Sequence, residues 1–464
     1  MKRIFALLLL SLLLLTSCGG DIGGSDVSSD VFEEISEEAV TETDPLAVLP
    51  DADFEGAKTV IWTTDLSLVK PENAYDTALK GVMQERIDSI ENKLNIEIVI
   101  EQKTSTEITK ALQSGVGCPD LVVMPSSQSA MNSHNGLYTN MWSLPYFTEA
   151  AKALGGVAEE QTINNSLYML TGGFNYAPQN ALVVYANRDL IEKAGMRLPS
   201  YAVADGTWTI AKMQEYIDAV STVAGKPSAD IATDIFGFTS AGLDTKSLIN
   251  VLWNGSGIDY FGVSKGKPLY AEFDYAFGQQ ATDAVKSLMN SGTRLNDNGD
   301  VDTVKAFRDG KVLFCITYFN KFTGNSRINE FDWEILPLPK ISEAQESYSS
   351  TLTEAMCISV PAAQKDSYRS GLVLSAWLLA SRDMENTLEQ YYITYTSTDN
   401  KNTVMMQTVF DTTHYTLTEL YSSIYTINSV GKNLIASSVT DGINLERYIR
   451  WQDEQMNQTA EKFK

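Results

Sequence analysis

Three short apolar segments decide the fold: KTVIW at residues 58–62, IEIVI at 96–100 and DLVVM at 120–124. Helical stretches near residues 75–94 and 108–113 separate them. This strand–helix–strand–helix–strand order predicts an α/β fold with a mainly parallel sheet. In such sheets ligands bind beyond the carboxyl ends of the strands, so the loops after the first and third segments are candidates for a binding site.

A second strand and helix follow at residues 182–195, which read LVVYANRDLIEKAG. Asn187 fits a helix N-cap, because its side-chain oxygen can accept from a free backbone N–H. Gly195 fits the position after the helix, where a positive φ favours glycine. The next helix has one apolar face, formed by Ile210, Met213, Ile217 and Val220. We interpret residues 182–220 as scaffold rather than ligand contacts.

Length and charge narrow the class of protein. The 464 residues exceed one hydrophobic core and predict two or more compact units. The net charge of −24 argues against nucleic acid as a partner, because phosphate contacts need lysine and arginine. Only two histidines are present, which leaves little room for a histidine-rich metal site. We expect no metal and no cofactor.

The first residues have the pattern of an export signal. Lys2 and Arg3 precede an apolar run at residues 4–15, which is too short to span a bilayer comfortably. The following LTSCG at 15–19 resembles the bacterial lipobox. That resemblance implies cleavage after residue 17 and lipidation of Cys18. The alternative is an ordinary signal peptide with a chance cysteine.

An acidic segment follows. Residues 19–55 contain twelve acidic residues and no lysine or arginine. We predict a disordered tether over residues 18–57, because like charges extend a chain that buries little apolar area. A metal-binding or partner-binding acidic tail is the alternative.

Three cysteines follow this segment: Cys118, Cys315 and Cys357. At most two of them can form a disulfide, and buried free thiols are the simpler interpretation.

Six motifs follow one another along the chain: GCPDL at 117–121, the 182–195 segment, TW at 207–208, DIFGF at 234–238, FRDGKVLF at 307–314 and WEILPLP at 333–339. In this order they resemble the motifs of family 1 extracellular solute-binding proteins. The resemblance covers roughly residues 58–464. Together with the lipobox it implies a non-enzymatic, monomeric binding lipoprotein of an ABC importer, outside the cell and anchored to the membrane.

The resemblance also implies a type II periplasmic-binding-protein-like fold, with two α/β lobes, a hinge and a central ligand cleft. By the motifs, the chain crosses between lobes near residues 178–182, 350–355 and 395–405. The predicted organisation is a signal peptide at 1–17 and the tether at 18–57. Lobe 1 is then 58–178 with 355–400, and lobe 2 is 180–350 with 405–464.

Candidate ligand residues lie around this cleft. Matches to the family's ligand loops are Thr64, Asp65, Met124, Ser127, Gln128, Ser240, Tyr318 and Phe319. Further candidates, from their position, are Trp62, Tyr176, Trp253, Phe410 and Tyr415. Aromatic rings suit the apolar face of a sugar, although core packing is their usual role. Asp65 fits a helix cap as well as it fits a hydroxyl acceptor.

The leading hypothesis is capture of a carbohydrate and its delivery to a membrane permease. At the position where maltodextrin binders carry an aromatic, an acid and a base, this chain has Met124, Ser127 and Gln128, so the sugar stays open. A polyamine or a peptide is the alternative ligand. An exported hydrolase with two catalytic carboxylates, or a sensor that does not transport, is the alternative function.

Overall fold

The computed structural model describes residues 44–74, 77–175, 177–226, 228–259, 261, 273–296, 301–322, 327–352, 354–397 and 399–463. The predicted signal peptide, Cys18, most of the predicted tether and Tyr176 lie outside these residues. No helix in the described part of the chain is both long and apolar enough to cross a membrane.

Ten strands build the sheets. They are β1 (Ala57–Thr63), β2 (Ile96–Gln102), β3 (Leu121–Pro125), β4 (Leu182–Asn187), β5 (Phe236–Ser240), β6 (Val312–Tyr318), β7 (Trp333–Leu336), β8 (Ser350–Thr351), β9 (Met356–Ser359) and β10 (Thr413–His414).

The α-helices of the first half are α1 (Thr77–Leu94), α2 (Ser105–Ser114), α3 (Ser126–His134), α4 (Phe147–Ala153), α5 (Val157–Glu160), α6 (Arg188–Lys193), α7 (Pro199–Ala204), α8 (Ile210–Val220) and α9 (Thr245–Asn254). Those of the second half are α10 (Tyr275–Met289), α11 (Thr303–Arg308), α12 (Ser367–Ala380), α13 (Arg382–Thr396), α14 (Asn400–Asp411), α15 (Leu417–Leu420), α16 (Tyr425–Asn428), α17 (Ile435–Asp441) and α18 (Leu445–Glu461).

The first sheet has the strand order β2-β1-β3-β9. β1 lies between β2 and β3 and pairs in parallel with both, from Ala57 opposite Ile96 to Thr63 opposite Val123. The predicted parallel sheet is therefore confirmed. Its fourth strand, β9, runs antiparallel to β3 and comes from a distant part of the chain.

The second sheet has the order β5-β6-β4-β7. β4 pairs antiparallel with β6 and β7, and only β5 and β6 are parallel. All six residues of β4 are buried, as expected for a central strand covered on both faces. The segment at 182–195 is thus the middle of this sheet and the helix that leaves it.

The caps predicted at Asn187 and Gly195 and the buried face of α8 are confirmed, except that Val220 is only half-buried. The Asn187 side chain accepts from the backbone N–H of Leu190 at 3.1 Å and begins α6. Gly195 follows that helix with φ +70°. On α8, Ile210, Met213 and Ile217 are buried, and the helix packs on β5.

Short elements join the two sheet layers, which we call lobe 1 and lobe 2. β8 pairs in parallel with β10, and Ala181 forms an isolated bridge with Leu352. α13 packs on α1 in lobe 1, whereas the next helix, α14, packs on β7 in lobe 2. The chain therefore passes between layers near residues 181, 350–352 and 396–400. The exact lobe boundaries stay a prediction.

The end of the predicted tether packs on lobe 1. Leu46 and Leu49 are only 2% and 3% exposed. The backbone N–H of Phe54 donates to the carbonyl of Leu94 at 3.1 Å, and Lys93 pairs with Asp51 at 2.6 Å. This differs from the disorder expected for residues 44–57. The reason is that charge dominates the segment as a whole, while its apolar residues cluster at this end.

Cys118, Cys315 and Cys357 carry free thiols. Cys315 and Cys357 are fully buried, and burial raises the pKa of both thiols. They therefore behave as small apolar residues of the core.

Candidate functional site

The carboxyl ends of β1 and β3 meet at one edge of the first sheet, as the parallel pairing requires. The backbone N–H of Thr64 donates to the carbonyl of Val123 at 3.2 Å, so the loop after β1 stays beside β3. Asp65 begins a short 3-10 helix at Leu66–Leu68 and accepts from the N–H and hydroxyl of Ser67, at 2.9 and 2.7 Å. Asp65 therefore acts as a helix cap, one of the two roles considered for it.

The other side of this edge holds Ser127 and Gln128, in the first turn of α3. Gln128 is exposed and accepts from the hydroxyl of Ser105 at 3.4 Å. The hydroxyl of Ser127 donates to Oε1 of Glu354 at 2.7 Å. Glu354 is exposed and precedes β9, so it adds a carboxylate to the same edge. Sequence reasoning missed it, because its proximity depends on β9 joining the first sheet.

Two predicted lobe-1 residues pack within the lobe instead. Met124 is fully buried, and the Tyr138 hydroxyl lies 3.2 Å from its Sδ. Trp62 packs against the same cluster, which contains Met124, Tyr138, Ile108, Leu112 and Val122. The indole N–H of Trp62 donates to Oε2 of Glu101 at 3.1 Å. The contacts of both side chains are those of packing residues.

In lobe 2, Ser240 and Trp253 are likewise turned into the core. The Ser240 hydroxyl donates to the carbonyl of Leu243 at 2.9 Å, and the residue is 2% exposed. Trp253 is fully buried, and its indole N–H donates to the hydroxyl of Thr282 at 3.3 Å. Its ring stacks on Phe273, with 6.4 Å between centroids.

The structure brings two predicted aromatics together at the first crossing. Phe319 and Phe410 lie 4.8 Å apart, and Tyr392 of α13 completes the cluster at 5.0 Å from Phe319. The Tyr392 hydroxyl donates to Oε1 of Gln179 at 3.0 Å. The cluster therefore joins elements of both lobes at the hinge. All three rings are at most 5% exposed.

Tyr318 and Tyr415 are the remaining candidates in the described part of the chain. Tyr318 is half-buried at the end of β6, and Tyr415 is 6% exposed just after β10. Tyr176 cannot be placed, because it lies outside the described residues. The predicted set is thus divided between the lobe-1 edge, the hinge and the two cores.

The second crossing carries three consecutive buried hydroxyls, which we call the hinge hydroxyl set: Ser349, Ser350 and Thr351. Their exposed fractions are 2%, 0% and 0%. None of the three hydroxyls has a hydrogen-bond partner in the described structure. Buried polar groups are nearly always paired, so these three hydroxyls keep the capacity to donate to or accept from a further polar group.

Asn175, just before the first crossing, adds a fixed amide. Its Nδ2 donates to the carbonyl of Met356 at 2.9 Å, and the hydroxyl of Thr171 donates to the same carbonyl at 2.7 Å. These bonds orient the side chain, whose Oδ1 is buried and unpaired among the described residues. Like the hinge hydroxyl set, it is polar and uncharged.

Charged groups are paired at the third crossing. Arg188 Nη1 lies 2.6 Å from Oδ2 of Asp399, which also caps α14 through the N–H of Asn402. Glu334 on β7 is 1% exposed, and burial raises its pKa to about 7, against the opposing effects of Ser200 and Arg188. These groups join the hinge to the second sheet.

The described residues hold no cluster of three histidine, cysteine, aspartate or glutamate side chains that could bind a metal ion. Two open surface pockets lie elsewhere. One, of about 700 Å³, lies between Asp44–Asp53 and the end of α1; the other, of about 520 Å³, lies beside Arg294. Neither is lined by a predicted ligand residue.

Among the solved structures with a similar fold are three whose descriptions name a sugar, a sugar analogue or a sugar transporter. A sugar transporter protein of Rhizobium etli in an open conformation is 13% identical, with a TM-score of 0.57 over 88% of this chain and 99% of that one. The cyclic alpha-maltosyl-1,6-maltose binding protein of Arthrobacter globiformis is 10% identical, with a TM-score of 0.56 over 87% and 99%. The GacH receptor of Streptomyces glaucescens is 15% identical, with a TM-score of 0.51 over 88% and 100%.

At such low identity these likenesses show the fold alone, and they confirm the predicted periplasmic-binding-protein-like class. No curated protein sequence matches the chain significantly. The sequence profile of the family described as bacterial extracellular solute-binding protein matches residues 85–403, which is more than half of the chain. The chain therefore belongs to the bacterial extracellular solute-binding proteins.

Proposed function

We propose that this protein is a lipid-anchored, extracytoplasmic binding protein that captures a carbohydrate between its lobes and delivers it to an ABC transporter permease. Family membership supports capture of a solute. The ligands named for two structural neighbours, a cyclic maltosyl-maltose and acarbose, are in keeping with an oligosaccharide. Binding, rather than chemistry on the ligand, is the proposed role.

The observation that carries the carbohydrate proposal is the hinge hydroxyl set with Asn175. These groups are polar, buried and uncharged, and they can donate to or accept from the hydroxyls of a sugar. A polyamine would need several free carboxylates in the cleft. Of the candidate acids at the lobe-1 edge, Asp65 is engaged as a helix cap, which leaves Glu354 as the acid that can still accept from a ligand.

The ligand class can be tested by thermal unfolding of the full chain with mono- and oligosaccharides, spermidine and short peptides. A ligand present at 100 times its Kd stabilises the protein by about 2.7 kcal/mol. We expect at least one sugar in the panel to raise the unfolding temperature of the protein. Stabilisation by spermidine or a peptide, with no response to any sugar, would contradict the carbohydrate proposal.

Anchoring and transport need separate tests. If Cys18 is lipidated, Cys18→Ala should abolish incorporation of a labelled fatty acid, while the protein still folds. Labelling of this variant would refute the assignment of Cys18 as the lipidation site.

For transport, deletion of the gene should abolish uptake of the stabilising sugar, and wild-type protein should restore it. Unchanged uptake would favour a sensor role instead.

A further inference from the structure

The last turn of α18 reaches across the molecule. The body of this helix packs on α10 and α16 in lobe 2, with Leu445 and Ile449 buried. Its final residues instead contact lobe 1. The Nδ2 of Asn164 donates to the carbonyl of Ala460 at 2.6 Å, and Lys462 Nζ lies 3.3 Å from Nε2 of His134.

Phe463 is the centre of this contact. It is 0% exposed, and its ring lies 5.8 Å from His134 and 6.3 Å from Tyr168, which both belong to lobe 1. On its other side lies Tyr421, at 5.1 Å in an edge-on arrangement. One aromatic side chain is therefore enclosed by rings from both lobes.

Tyr421 is itself held to lobe 2. It follows α15, whose first turn is capped by Asp259: the carboxylate accepts from the N–H of Leu417 at 2.7 Å and from the hydroxyl of Thr418 at 2.6 Å. On the same helix, Glu419 accepts from Nδ2 of Asn254 at 3.0 Å. Thus α15 is hydrogen-bonded to lobe 2, although it also touches α3 of lobe 1.

We propose that Tyr421, Lys462 and Phe463 form a clasp that grips Asn164, Tyr168 and His134 and thereby holds the two lobes in their present arrangement. A hinge motion separates or slides these partners, so the clasp sets how readily the lobes move apart. Its release shifts the population towards other lobe arrangements and weakens binding of any ligand that needs this one. The proposal rests on the two-lobe fold and not on the nature of the ligand.

The test measures the distance between the lobes without ligand, so its failure is separate from failure of the proposed function. Spin labels go on Val116→Cys in lobe 1 and Ile231→Cys in lobe 2, which are 76% and 37% exposed. The full chain carries Cys18→Ser and Cys118→Ser, and the two remaining cysteines are buried. Phe463→Ala should broaden and shift the distance distribution.

Two further variants keep the test decisive. Trp451→Ala removes an aromatic ring that is 70% exposed on the same helix and should leave the distribution unchanged. Asn164→Gly deletes the amide contact, yet glycine tolerates the φ of +48° there, so it should broaden the distribution even if Phe463→Ala fails to fold. A wild-type distribution in Asn164→Gly and in folded Phe463→Ala, or an equal change in Trp451→Ala, would overturn the clasp.

Discussion

The hydroxyl of Ser127 donates to Glu354 at 2.7 Å, although 227 positions separate the two residues. This bond joins the start of α3 to the second crossing, and it lies where the carboxyl ends of β1 and β3 meet. Both side chains reach solvent at that edge. The pair is therefore the best placed polar group of lobe 1 for contact with a ligand in the cleft.

Replacing Glu354 should weaken ligand binding. For the sugar that stabilises the wild type, we expect Glu354→Ala to raise Kd by about 10- to 100-fold, since a hydrogen bond to a charged group contributes about 1.5–3 kcal/mol. Titration calorimetry measures the change. Glu149→Ala, on the exposed face of α4, serves as the control and should keep the wild-type Kd. Equal Kd values for all three proteins would place Glu354 outside the site.

Glu334 should make stability depend on pH. Burial raises the pKa of its carboxyl from 4.5 to about 7, so between these values the folded state binds more protons than the unfolded state. Stability from this group is present below pH 4.5 and is lost as pH rises through about 7, by up to about 3 kcal/mol.

The Glu334→Gln variant cannot ionise at this position, and it therefore isolates the effect. Relative to wild type, its free energy of unfolding in urea should be higher at pH 8 than at pH 5, by about 2–3 kcal/mol. Glu159→Gln on the exposed surface of α5 should show no such difference. If the difference in unfolding free energy between Glu334→Gln and wild type is the same at both pH values, ionisation of Glu334 does not cause the pH dependence.

Gly371 is fixed by a close approach of α12 to the turn that precedes α4. A Cβ at this position of α12 would lie 2.4 Å from the carbonyl oxygen of Pro145, a backbone atom that cannot rotate away. Gly371→Ala should destabilise the protein by about 1–3 kcal/mol. Gly81, inside α1, has open space around its Cβ position, so Gly81→Ala should instead stabilise by about 0.5–1 kcal/mol. Chemical denaturation of both variants checks the opposite signs.

Leu49 tests whether the end of the acidic segment is part of the folded protein. Leu49→Ala removes a side chain that is 3% exposed and should cost about 2–3 kcal/mol of unfolding free energy. The neighbouring Val48 is 59% exposed, so Val48→Ala should have little effect. If both variants unfold at the wild-type urea concentration, this segment does not contribute to the folded core.

Much of the fold could be predicted because it depends on local pattern. The strands and helices between residues 58 and 124, and the cap at Asn187, depend on neighbours in sequence. The largely antiparallel second sheet could not be predicted in this way, because pairing between distant strands leaves no local signal. Leu49 illustrates the same limit, since it is buried in spite of its acidic surroundings.

The candidate site was harder to predict for the same reason. Sequence position indicates that Trp253 or Met124 lies near the end of an element, but only packing decides whether the side chain faces a cleft or the core. Both face the core. Glu354 and the hinge hydroxyl set carry no motif, and they become candidates only when the crossings are in place.

The position of β9 late in the sequence has a consequence for how the protein folds during synthesis. The strand that completes the first sheet, Met356–Ser359, is synthesised after every strand of the second sheet, which lies between residues 182 and 336. Until then β3 is an open edge, ready to pair with another chain. The lobe that is made first is therefore finished last, and a chain interrupted before residue 356 would retain a complete second sheet beside an unprotected first one.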